Sequence, residues 1–76
     1  MSAPPESRRV TTLWRLAWNG DALACVVYRD QGELLLRLES SSATIMSEPF
    51  DMRPRALARA RALRESLKRR GWQDVV

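Results

Sequence analysis

The sequence predicts an α+β fold: a three- or four-stranded antiparallel β-meander followed by one C-terminal α-helix packed on one face of the sheet. Two observations carry this. Residues Pro54–Arg70, PRALARARALRESLKRR, are the one stretch with a sustained helical period. Upstream of them, glycine-bearing turn signals cut the chain into apolar runs of strand length. A third observation sets the scale. A chain of 76 residues makes one domain that buries only ~60% of its unfolded surface, enough for a single modest core.

Residues 1–9 carry Pro4-Pro5, mixed charge and no period, and read as a flexible N-terminal arm ahead of one small domain over residues 10–76. Thr12–Trp18, Ala22–Arg29 and Glu33–Glu39 read as strands, and Ala43–Glu48 as a shorter edge strand that Pro49 ends. Asn19-Gly20 is the strongest hairpin signal in the chain. Asp30-Gln31-Gly32 suits a three-residue loop with glycine in the left-handed position.

Register decides which side chains share a face, because slipping one residue flips a whole strand. A three-residue second loop pairs Arg29 with Glu33. It sets Ala24, Val26 and Tyr28 beside Leu34, Leu36 and Leu38. A three-residue first loop adds Trp14, Leu16 and Trp18 to that face, whereas a two-residue Asn-Gly turn moves the tryptophans to the other. The three-residue form is preferred because it gathers the large residues under the helix. The second face then carries Leu13, Leu23, Cys25, Val27 and Leu35, more apolar than a solvated sheet face should be.

On a helical wheel Ala56, Leu57, Ala60, Leu63 and Leu67 fall within an arc of about 120°, the width of a core-facing stripe. Pro54 suits the first turn, with Arg53 as N-cap. Gly71 suits the C′ position of a Schellman ending with Trp72 at C″. Residues 53–70 hold eight basic side chains and one acid, whereas residues 1–52 hold five basic and seven acidic. Arg61, Arg64 and Lys68 line one flank of the stripe, and Arg55, Arg59 and Arg70 the other.

Composition bears on chemistry by subtraction. The chain has no histidine and one cysteine. It therefore cannot assemble a Cys/His zinc site, an intrachain disulfide or a histidine-activated nucleophile. No glycine-rich phosphate loop is present, and the expectation is a non-enzyme without cofactor or metal. The longest apolar run, Ala22–Tyr28, is too short to span a membrane, and the start MSAPPESRR lacks an apolar leader core, so the expected setting is the cytoplasm. Two functions remain. The first is a protein-interaction or self-association module acting through the second face, with a second copy or another protein as partner. The alternative is nucleic-acid binding by the arginines of helix 54–70.

Overall fold

The structure, a computed structural model, describes residues 8–75. Residues 1–7 of the expected arm lie outside the described residues. The elements are β1 (Arg8–Trp18), β2 (Asp21–Asp30), β3 (Glu33–Ser40), β4 (Thr44–Phe50), α1 (Arg53–Arg69) and a short β5 (Gln73–Asp74). They form one antiparallel sheet in the order β4-β3-β2-β1-β5, with a single helix on it. The predicted βββ(β)α architecture is the observed one, with β5 added at the far edge. β1 starts earlier than predicted, taking in Arg8 and Arg9, and β4 continues through Pro49 and Phe50.

Both central hairpins turn in two residues, and this reverses the preferred register. Asn19 and Gly20 have φ of 54° and 85°, and Gln31 and Gly32 have φ of 51° and 88°. Positive φ at both central positions gives the tight turn whose twist matches that of the strands. Trp18 therefore opposes Asp21, and Asp30 opposes Glu33. Relative to both neighbours, β2 is flipped. Leu23, Cys25 and Val27 lie opposite Leu16, Trp14 or Thr11 on one side and Ser40, Leu38 or Leu36 on the other. A bulge between Thr12 and Trp14 leaves Leu13 without a partner on β2. Leu13 and Trp14 then both pack against the core, which strict alternation forbids.

The core follows from this register. Cys25, Val27, Leu36 and Ala60 are buried together, with Leu13, Trp14, Leu34, Phe50 and Leu63 packed around them. The helix meets the sheet through its small residues, with Ala56 and Ala60 buried. That close seating lets the indole Nε1 of Trp14 donate to the carbonyl of Ala60 at 3.0 Å. The N-cap is Met52, one residue before the predicted position, and no side chain caps it. The C-terminus closes as predicted. The Trp72 N–H donates to the Leu67 carbonyl and that of Gly71 to Lys68, both at 3.1 Å. Gly71 has φ 111°, and the Trp18 indole lies so close that a Cβ there would sit 3.2 Å from its Nε1. Trp72 packs on Trp18 with ring centroids 5.8 Å apart and the planes tilted by 50°. The helix thus runs from the β4 edge to the β1 edge of the sheet. There the chain turns back to lay β5 against β1.

Candidate docking site

The face expected to be apolar and free is neither. Leu13, Leu23, Cys25 and Val27 lie on the helix side, because the two-residue turns flip β2 and the bulge turns Leu13 inward. Of the five residues assigned to the second face, Leu35 alone is there, half-buried and opposite Tyr28. That face is closed by a polar and aromatic layer instead. Tyr28 Oη donates to Glu39 Oε2 at 2.6 Å. Arg9 donates to Glu39 Oε1 at 3.0 Å, to Tyr28 Oη at 3.3 Å and to Thr12 Oγ1 at 3.1 Å. The Arg37 guanidinium lies 4.4 Å from the centre of the Tyr28 ring, within cation–π range. Beneath them Val26 is fully buried between Thr12 and Arg37.

The helix cations are also less free than their sequence suggests. Arg59 makes a two-pronged contact with Glu48 of β4, at 3.1 and 3.3 Å. Arg64 and Lys68 both hold Asp74 of β5, and Arg55 stands 3.9 Å from Asp51. Hydrogen bonds from Lys68, then Arg64, hold the Asp74 carboxyl below its ordinary value of 3.8. Exposed pairs of this kind add little to stability, because solvent screens them. Their larger effect is placement: they tie both flanks of the helix to the two edge strands. Of the six predicted polyanion contacts, Arg61 and Arg70 alone have no acidic partner among the described residues.

The feature that the sequence did not disclose lies at the β1 edge. β5 pairs with β1 only at Leu16 and Ala17, and the Val75 N–H adds a bond to the Arg15 carbonyl at 3.2 Å. From Arg8 to Trp14 the outer edge of β1 has no strand beside it among the described residues. Next to it, between β1 and the helix, runs an open groove of about 510 Å³. Leu13 and Trp14 form its floor, with Leu57, Arg61 and Val75 on its rim. Leu57 is 40% exposed and Val75 51%, and Val10 on the strand edge is 43% exposed. Leu57 was expected in the core stripe. The helix sits on its alanines instead, which rolls Leu57 out to the groove. The opposite edge, that of β4, is also without an outer neighbour among the described residues. It has a register shift at Ile45, as β1 has at Val10 and Leu13, but Pro49 also takes a backbone donor from it and no such groove runs along it.

Fold and site together define a class: a single α+β meander-and-helix domain in which part of the outer edge of β1 lies open beside a groove. Comparison with protein-family models, with curated proteins and with solved structures gives no match. Among the described residues no three Cys, Asp or Glu side chains gather into a metal-holding group, and no helix is long and apolar enough to cross a membrane.

Proposed function

We propose that this chain is a non-catalytic protein-interaction module that takes an extended segment of its partner along the free edge of β1. One observation carries the proposal: an unpaired strand edge runs directly beside a groove that combines exposed apolar side chains, Leu57 and Val75, with charged ones. Strand addition uses both parts. Main-chain hydrogen bonds to the edge supply affinity, and side-chain pockets at every second residue supply specificity. The chain's own tail already adds a strand to the same edge, two residues long, and stops at Arg15. The open stretch of β1 would accommodate about seven residues, roughly 23 Å of strand.

The test is selection of random extended peptides displayed on phage, followed by competition in solution. Peptides that bind the wild-type chain and lose at least about tenfold in affinity to Leu57→Arg are the expected result, a difference of about 1.4 kcal/mol. Leu57 is partly exposed, so this variant keeps the core. Failure to enrich any peptide would overturn the proposal. Light scattering over a concentration range runs beside it. A dimer that Leu57→Arg splits would make a second copy the partner, as self-association requires.

The nucleic-acid alternative rests on the charge asymmetry of the chain, with eight basic side chains and one acid over residues 53–70. Four of its six contact residues are engaged with carboxylates, which leaves it the weaker reading.

A further inference from the structure

We infer that the segment taken by the β1 edge is acidic, with apolar residues at every second position. The inference rests on the docking reading above and names the chemistry of the partner.

Charge around the groove is one-sided. Arg15, Arg61 and Arg64 line it together with Asp74, the one acid in its wall. Asp74 is shared between Arg64 and Lys68, so two cations hold a single carboxylate. Arg15 and Arg61 have no acidic side chain in ion-pair range among the described residues. Arg61 on the helix side and Arg15 on the other face of β1 therefore leave unpaired positive charge on both sides of the strand edge.

The two kinds of surface sit on opposite sides of the incoming strand. Arg15 pairs with Ala24 and belongs to the face away from the helix. Leu13, Trp14 and Leu57 belong to the helix side. Side chains of an added strand alternate between these faces. Apolar residues then enter the groove while the residues between them turn towards Arg15. Arg61, on the helix, meets acids at the groove rim.

A second copy would bring the same unpaired Arg61 to the contact and no complementary acid. Nucleic acid would match the charge but would use neither the backbone edge nor the apolar floor.

Fluorescence anisotropy of the full chain with labelled probes tests this. The probes are a Val/Glu-alternating peptide, its Val/Lys counterpart, a scrambled Val/Glu peptide of the same composition, and a single-stranded oligothymidylate. The alternating acidic peptide is expected to bind at least about tenfold tighter than the lysine peptide in low salt, the sum of two or three exposed charge pairs. Salt should narrow the gap, Arg61→Glu should close it, and the scrambled peptide should bind more weakly.

Equal binding of the Glu and Lys peptides, with competition by display-selected peptides intact, would overturn the acidic partner and leave docking standing. Absence of binding by any peptide, selected ones included, would overturn both. Oligothymidylate that displaces the acidic peptide and binds more tightly would assign the rim to nucleic acid and overturn the inference.

Discussion

Cys25 shows how far a single side chain can be read. A lone cysteine in an apolar run suggests a small buried hydrophobe, and it is fully buried. Burial pushes its thiol from 9.0 up to about 11. Since the thiolate is the nucleophile, Cys25 should resist an aromatic disulfide reagent at pH 8 and react only when denaturant opens the fold. Rapid labelling of the native chain would contradict the burial. The raised value also has a stability consequence. Above pH 9 the unfolded thiol ionises while the folded one stays protonated until about 11, so stability falls with rising pH across that window. Cys25→Ala should flatten this part of the pH profile. The burial was legible in the sequence. The side of the sheet was not, because β2 reads ALACVVY and both of its faces are apolar.

The strands show what periodicity leaves open. β1 and β3 carry strong patterns, and Trp14, Leu16, Leu34, Leu36 and Leu38 lie on the helix side as the sequence suggested, whereas Trp18 is largely exposed and Leu13 joins the helix side against expectation. β2 carries little pattern, so its phase is set by its two turns. Gln31 adopting a positive φ was the hidden step, since such a backbone is uncommon outside glycine, asparagine and aspartate. The bulge at Leu13 was hidden for a similar reason: it trades a ladder position for two large side chains on one face.

The observed register makes opposite demands on residues of β2 that lie on its two faces. Val27→Gln places an amide in the helix-side core and should cost about 3 kcal/mol or more. Ala24→Gln sits half-exposed on the other face and should stay within about 0.5 kcal/mol. Urea denaturation of the two variants decides between registers, because a three-residue first and second turn would reverse the order. The helix was clearer in sequence. Its Gly71 ending holds as read, while its start moved by one residue for want of a capping side chain.

At the scale of the molecule, the architecture was legible because one helical period follows a series of turn signals. The candidate docking surface was not legible, because it is made by the way the elements are joined. The helix seats on Ala56 and Ala60, Leu57 rolls outward, and Asp74 clamps a two-residue β5 under Arg64 and Lys68. Those events leave a stretch of β1 open beside a groove. The charge asymmetry seen in the sequence is partly spent inside the molecule, with Glu48, Asp51 and Asp74 meeting the helix arginines. What remains uncompensated by these pairs includes Arg15 and Arg61, both at the groove. The sheet face away from the helix, which a hydrophobicity pattern would nominate as the interface, carries a polar and aromatic layer of Arg9, Arg37, Tyr28 and Glu39.

The most direct measurement is a backbone amide NMR titration of the full chain with the Val/Glu-alternating peptide. Shift changes confined to residues 8–14 of β1, to Leu57 and Arg61 and to Val75 are the result this account predicts, with slowed amide exchange along the newly paired edge. Changes centred on Tyr28, Leu35, Arg37 and Glu39 would place the interface on the open face of the sheet and contradict it.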